Sequence, residues 1–188
     1  MLEQSFHSVG LNQLLASVNV PKGSFYHYFK SKEELGVELV RQFAANDNAQ
    51  RRKILTDQSL EENPIQRLFV LWASVIDKLQ ESGGKCPCLL QKLGNEVANY
   101  SDAMREELAK GFRDAIGIFQ LPLDEAVEKG LLPAEMDTAA EASFIIDFWA
   151  GAHQRAIISR DPQPLLDALE LFRARLLTHP KLDPTPAR

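Results

Sequence analysis

The stretch that decides the fold is VPKGSFYHYFKSKEEL, from Val20 to Leu35. Before it, four apolar residues recur at intervals of three and four, which predicts the buried stripe of a short helix: Leu11, Leu14, Leu15 and Val18. Asn19 follows, and asparagine is the residue that best tolerates a positive φ after glycine. Pro21 then stands at an expected first helical position. Two short helices joined by such a turn predict a helix-turn-helix, in which Ser8 is the expected N-cap of the first helix.

The second helix of this pair has an unusually polar and aromatic surface. Only Phe25 and Phe29 are spaced to face inward. The other positions carry small, basic, hydroxyl and aromatic side chains: Lys22, Gly23, Ser24, Tyr26, His27 and Tyr28. Such groups near a helix N-terminus suit phosphates and the base edges of a major groove. The alternative is that the aromatic residues form an ordinary amphipathic surface.

The next helix is predicted to begin with a capping box made by Ser31 and Glu34. This places Lys32 in the first turn, where a positive charge is slightly unfavourable. We therefore expect Lys32 to have an outside partner such as a phosphate.

The segment from about Ser5 to Leu35 resembles the DNA-binding region of TetR-type transcriptional regulators. In these proteins a short helix and a turn precede the pattern V-x-K-G-[ST]-[LF]-Y-x-[HY]-F-x-[SN]-K-x-x-L, all of which is present. The resemblance implies a double-stranded operator DNA partner, with phosphate contacts from Ser8, Ser24, Tyr26, Tyr28 and Lys32. It implies base readout by Lys22, Gly23 and His27. The family begins with a further helix, of which residues 1–4 would be the last turn, so we expect ordered residues upstream of this chain.

Charge is distributed unevenly along the 188 residues. Residues 1–53 hold seven Lys and Arg against five Asp and Glu, whereas residues 54–188 hold fourteen against twenty-one. A mildly basic head on an acidic body fits a regulator with a separate sensory domain. The sequence shows neither a signal peptide nor an apolar run of transmembrane length, and it has only two cysteines, which predicts a cytoplasmic protein without a membrane partner.

Helical periodicity continues beyond this head, and no stretch alternates with period two, so an all-α fold is predicted. The predicted helices cover about residues 31–50, 64–82, 88–98, 102–129, 138–158 and 165–177. The expected organisation is a helix-turn-helix domain over residues 1–50 and an effector-binding and dimerisation domain over residues 51–179. A disordered tail is expected over residues 180–188, which contain three prolines counting Pro180.

The last two predicted helices are apolar around much of their circumference. This fits a central helix of one monomer, or pairing with a second copy in a four-helix bundle, as the family resemblance implies for a homodimer. The expected interface residues are Phe148, Trp149, Ala152, Leu165, Leu169 and Phe172. Candidates for an effector pocket are Phe69, Trp72, Phe112, Phe119, Phe144, Phe148 and His153, with ordinary core packing as the alternative.

The stretch GGKCPCLLQKLGNEV, from Gly83 to Val97, is similar to the corresponding part of the N-ethylmaleimide- and hypochlorite-responsive repressors of the family, with Cys88 and Lys92 matching. A helix N-terminus and nearby lysines lower the pKa of a thiol. Cys88 is therefore either an electrophile sensor or a small core residue. A Cys86-x-Cys88 pair without a nearby histidine supplies too few metal ligands, and we expect no metal and no cofactor.

Taken together, these features predict a homodimeric repressor that a small molecule or a reactive electrophile releases from a palindromic operator. The alternative is a small cysteine-dependent enzyme in which Cys88 is the nucleophile and His153 the base. That alternative lacks an oxyanion element and a third group, so we predict that the protein is not an enzyme.

Overall fold

The computed structural model describes residues 6, 8–84, 89–97 and 100–177, and this part of the chain is all-helical, as predicted. Its helices are α1 (Leu11–Ser17), α2 (Lys22–Tyr28), α3 (Lys32–Thr56), α4 (Pro64–Glu81), α5 (Leu89–Val97), α6 (Asp102–Glu128), α7 (Thr138–Ser159) and α8 (Gln163–Leu177). The largest difference from the predicted bounds is at α3, which continues to Thr56. The predicted tail lies outside the described residues. Within them, no helix is long and apolar enough to cross a membrane.

The turn between α1 and α2 follows from local residue chemistry. Asn19 has a φ of 52°, as its residue type predicted. Pro21 occupies the N-cap position of α2, one residue before its expected place. The predicted cap of α1 is wrong: Gly10 holds the N-cap position without a side-chain hydrogen bond, and Ser8 lies exposed two residues earlier.

The starts of α3 and α4 are capped by side chains. The Ser31 hydroxyl accepts the Glu34 amide at 3.0 Å, while the Glu34 carboxylate accepts the amide of Lys30. Asn63 accepts the amides of Ile65 and Gln66, with Pro64 at the first helical position. Both starts therefore lie where the sequence predicted them, although the capping box of α3 is closed one residue further back.

The chain packs as two compact units. The first comprises Met1–Ala49 and Pro87–Asp114, and the second comprises Gln50–Cys86 and Ala115–Arg188. The expected domains also divide the chain near residue 50, but they place residues 87–114 with the effector domain. In the structure the described part of this segment packs with the first unit, because its apolar side chains share a core with residues of α3.

The core of the first unit is small, and at two positions a glycine is closely packed against a neighbouring side chain. Its buried residues are Phe6, Val40, Ala44, Leu93, Val97, Met104 and Leu108. A Cβ at Gly36 would lie 2.6 Å from the Phe6 ring, and a Cβ at Gly111 would lie 2.9 Å from the Ala44 methyl group. Glycine at these two positions lets the neighbouring residues approach more closely than any side chain would permit.

The second unit has a larger core built around Trp72 of α4. The Trp72 ring lies 4.7 Å from Phe172, 5.3 Å from Phe69 and 5.7 Å from Trp149, measured between ring centroids. α8 packs against both α7 and α4. The aromatic cluster therefore joins three helices of this unit.

Candidate nucleic-acid interface and effector site

The outer face of α2 presents six of the predicted DNA contacts together. Phe25 is buried and lies 5.5 Å from the Phe29 ring, which anchors the helix on its inner side. The six other residues of α2 are exposed, and they are Lys22, Gly23, Ser24, Tyr26, His27 and Tyr28. Tyr28 is 75% exposed. Ser8, the seventh predicted contact outside α3, is also exposed.

The exposed aromatic rings of α2 are held by contacts within the helix. The Tyr26 ring meets Phe25 edge-on at 5.2 Å, and the Lys22 ammonium lies 6.0 Å from the centroid of the Tyr26 ring. His27 and Tyr28 meet edge-on at 4.9 Å. A Cβ at Gly23 would have no neighbour within 4 Å, so packing inside the chain does not require this glycine. Its missing side chain leaves the start of α2 open to a partner.

Lys32 has a partner within the chain, which the sequence did not predict. Its ammonium group donates a hydrogen bond to the Phe6 carbonyl oxygen at 2.5 Å and lies 4.6 Å from the centroid of the Phe6 ring. Burial lowers the pKa of Lys32. A backbone carbonyl therefore already satisfies part of the donor capacity of Lys32, and a phosphate partner from outside the chain stays a prediction.

The predicted effector residues divide between different places. Phe69, Trp72 and Phe119 are buried in the core of the second unit. The indole nitrogen of Trp72 has no hydrogen-bond acceptor among the described residues, which is costly for a buried donor. Phe112 packs instead against the core of the first unit, so it does not join this cluster.

Phe144 and Phe148 line an open groove of about 550 Å³ in the second unit, together with Met136, Leu171, Phe172, Ala174 and Arg175. The Arg175 guanidinium donates to both carboxylate oxygens of Glu141, at 2.6 and 2.7 Å, and lies 4.8 Å from the Phe144 ring. Sequence reasoning missed this ion pair. Glu141, one of two acidic residues in the largely apolar α7, was the signal that pointed to it.

Two models of protein families match the sequence of this chain, and they identify the family to which it belongs. The model of bacterial regulatory proteins of the tetR family matches residues 1–39, and the model of the tetracyclin repressor-like C-terminal domain matches residues 64–172. The chain belongs to the TetR family. It is a DNA-binding transcriptional regulator, and the matched N-terminal segment contains the exposed face of α2.

Individual TetR-family relatives agree with this assignment. The chain is 34% identical to the HTH-type transcriptional repressor NemR of Escherichia coli K12, over 89% of this chain and 83% of that protein. It is 31% identical to the HTH-type transcriptional repressor DhaR of Mycobacterium sp. strain GP1, over 94% and 86% of the two chains. A crystal structure of the reduced form of Escherichia coli NemR superposes with a TM-score of 0.85, covering 96% of this chain and 92% of that chain at 31% identity.

The expected dimer residues of this TetR-family chain need revision. Ala152, Leu165 and Phe172 are buried within their own unit, so their side chains are not available to a second copy. Phe148 remains exposed, while Trp149 and Leu169 are half-buried against the core. Apolar side chains that are exposed on α7 and α8 are Phe144, Phe148, Ile158, Leu166 and Leu171. A dimer interface on α7 and α8 stays a prediction, because a helix apolar on most sides does not reveal which residues its own core uses.

His153 is buried on α7, and burial lowers its pKa, so the imidazole is held neutral near pH 7. Cys88 lies outside the described residues, and Lys92 is half-buried on α5. The structure therefore does not test the pairing of Cys88 with His153. The described residues also include no group of His, Cys, Asp and Glu side chains that could hold a metal ion.

Proposed function

We propose that this TetR-family regulator is a homodimeric repressor that a small molecule or a reactive electrophile releases from a palindromic operator. The observation that carries the proposal is the outer face of α2, where six side chains of DNA-binding type are exposed while Phe25 anchors the helix from behind. Two relatives that share about a third of their residues with this chain, NemR and DhaR, are named as repressors.

Within this proposal, the side chains of the first unit divide their roles by chemistry. Hydroxyl groups and the ammonium of Lys32 contact phosphates, which sets affinity and register; the hydroxyl groups are those of Ser8, Ser24, Tyr26 and Tyr28. Lys22 and His27 reach base edges in the major groove, and Gly23 lets the DNA approach the helix.

A homodimer accounts for the apolar residues left exposed on α7 and α8. Phe144, Phe148 and Leu171 are each more than a third exposed and lie around one groove. Large exposed apolar patches of this kind mark interaction sites on soluble proteins. A two-fold axis through these helices presents two copies of α2 to two half-sites, which explains a palindromic operator.

Two effector sites are compatible with this design. One is the thiol of Cys88, supported by the sequence similarity to electrophile-responsive repressors and by Lys92 one turn further along the chain. The other is the aromatic cluster, where the unsatisfied indole N–H of Trp72 would bind an acceptor oxygen of a small molecule. We favour the thiol, because this sequence similarity accompanies 34% identity to NemR over 89% of this chain.

Operator binding is tested by selecting duplexes from a random-sequence pool with the purified protein and measuring affinity against salt. A palindromic consensus is expected, with an affinity that falls steeply as salt rises because several phosphates are contacted on each half-site. Recovery of no enriched sequence would contradict the proposal.

The effector is tested on the same operator by adding N-ethylmaleimide to the wild type and to the Cys86→Ser and Cys88→Ser variants. Release is expected for the wild type and Cys86→Ser, and protection for Cys88→Ser. Release of Cys88→Ser as readily as the wild type would show that Cys88 is not required and would point to Cys86 as the reacting thiol. A wild type that is not released would leave the aromatic cluster as the effector site.

A further inference from the structure

In the segment that leads into α1, Phe6 is held by its ring and by both of its backbone polar groups. Its ring is buried in the core of the first unit, against Gly36 of α3. Its carbonyl oxygen accepts the Lys32 ammonium. Its amide donates to the Glu96 carboxylate of α5 at 2.8 Å. Both polar groups of one peptide residue are thus held by charged side chains, which form stronger hydrogen bonds than neutral groups do.

The two side chains that hold Phe6 come from distant parts of the sequence. Lys32 belongs to the first turn of α3, the helix that follows α2, whereas Glu96 lies in the last turn of α5. Beside Glu96, Val97 is buried in the same core as Phe6. The C-terminal turn of α5 therefore supplies a hydrogen-bond acceptor to Phe6 and an apolar side chain to the core that contains the Phe6 ring.

A second connection lies at the junction between α5 and α6. The Ser101 hydroxyl donates to the Glu33 carboxylate in the first turn of α3 and accepts the Met104 amide at 3.2 Å. Ser101 is buried and Glu33 is exposed, so this hydrogen bond is partly shielded from water. The end of α5 and the start of α6 are thus joined to the DNA-binding head at two points.

We propose that Glu96 is a positioning residue for operator binding, which fixes the segment before α1 by accepting the amide of Phe6. This rests on the proposed use of α2 and its neighbours as the operator-binding face. Without an acceptor at residue 96, the buried Phe6 amide is left unsatisfied, and the segment before α1 shifts toward water. The two half-sites are then met by heads whose α1 and α2 are less well placed.

The test compares Glu96→Ala and Glu96→Gln with Glu106→Ala. Glu96→Gln keeps an acceptor oxygen but removes the charge. Glu106 provides the matched control, since it lies in the same unit with an exposed side chain and pairs only with the neighbouring Arg105, at 3.7 Å, in the ion pairs described. Operator affinity and hydrogen exchange of the Phe6 amide are measured for each protein.

We expect Glu96→Ala to bind the operator about fivefold to tenfold more weakly and to exchange the Phe6 amide faster. Glu96→Gln and Glu106→Ala should bind as tightly as the wild type or slightly more tightly, because removing a negative charge favours binding to DNA. A general charge effect would move all three variants in the same direction. A loss of operator affinity in Glu96→Ala alone identifies the lost acceptor as the cause.

Equal affinity of Glu96→Ala and Glu106→Ala, or unchanged exchange of the Phe6 amide in Glu96→Ala, would overturn the proposal. If Glu96→Ala does not fold, Glu96→Asp supplies the same comparison, since it keeps the charge but shortens the side chain; wild-type affinity and exchange in that variant would likewise overturn it. A wild-type protein that selects no operator would instead refute the proposed function, so the two failures are distinguishable.

Discussion

The side-chain amide of Asn48 donates a hydrogen bond to the carbonyl oxygen of Gly111 at 3.1 Å, and so joins α3 to α6 within the first unit. Asn48 is buried, and the Ala44 methyl group one turn earlier occupies the space where a Cβ at residue 111 would lie. The small size of Gly111 therefore determines both the separation of the two helices and the length of this hydrogen bond.

Replacing Gly111 with Ala should destabilise the protein by about 1–3 kcal/mol, because the added methyl group overlaps Ala44 and separates α3 from α6. Gly117→Ala in the same helix is the matched control. A Cβ there meets nothing within 4 Å, and its higher helix propensity should stabilise by up to about 1 kcal/mol. Denaturant unfolding checks both values, and equal effects of the two substitutions would contradict this account of Gly111.

Replacing Tyr26 with Phe should weaken binding to every operator variant alike, by about 0.5–1.5 kcal/mol, because the phosphate contact of the hydroxyl is lost while the edge-on contact with Phe25 remains. Tyr100→Phe serves as a control, since Tyr100 is an exposed tyrosine of the same unit and should have no effect. Affinities for the operator and its single-base-pair variants are the measurement.

Lys22→Ala and His27→Ala should instead relax sequence preference, by about 1–3 kcal/mol for each lost base contact. Affinity for the consensus operator should decrease, whereas affinity for duplexes that are already altered at the contacted base pair should not change. If these substitutions weakened all sequences uniformly, Lys22 and His27 would be phosphate contacts rather than readers of sequence.

Leu171→Glu should convert the dimer to monomers that stay helical but bind the operator poorly. Leu171 is 56% exposed beside the groove of the second unit, so a charge there disrupts an apolar interface without disturbing the core. Leu60→Glu is the control, because Leu60 is 51% exposed between α3 and α4. Sedimentation at micromolar concentration distinguishes the species, and a monomeric wild type would rule out this interface.

Glu125→Gln should destabilise the second unit by about 3 kcal/mol, because it leaves the fully buried guanidinium of Arg67 without its carboxylate partner. Glu107→Gln is the control, since Glu107 pairs with the exposed Arg41 and should cost at most about 1 kcal/mol. Free energies of unfolding at neutral pH give the comparison.

The same carboxylate predicts a dependence of stability on pH. Burial by itself would raise the pKa of Glu125, but the hydrogen bond from Lys129 and the charge of Arg67 outweigh it and hold the pKa below its usual 4.5. The contribution of the Glu125 carboxylate to the free energy of unfolding is therefore complete above about pH 4.5, and it is lost as the pH falls through the lowered pKa. Glu125→Gln should remove that part of the acid dependence, and an unchanged pH profile would assign it to other groups.

Local chemistry made the turn after α1 and the start of α4 predictable from the sequence. A positive φ at Asn19 and the cap at Asn63 each depend on residues within a few positions of one another, so they leave a readable signal. Phe6 and Glu96 are 90 residues apart, and no local pattern joins them. The same reason explains why residues 87–114 were expected with the effector domain.

The candidate sites show the same division between local and distant information. The exposed face of α2 was predictable because two inward phenylalanines define its orientation. In α7, apolar residues occur on most sides, and the sequence did not distinguish the buried Ala152 from the exposed Phe144. Which side of such a helix faces its own core depends on the partner helices, and only the folded structure supplies them.

Two close contacts restrict which substitutions can be tolerated during evolution, namely Gly36 against Phe6 and Gly111 against Ala44. A larger residue at either glycine fits only if the side chain opposite it becomes smaller, so these positions are expected to change together or not at all. The outward residues of α2 are under no such restriction, because Gly23 and its exposed neighbours have room around them. New operator sequences can therefore be acquired by exchanging those side chains while the scaffold that presents them stays constant.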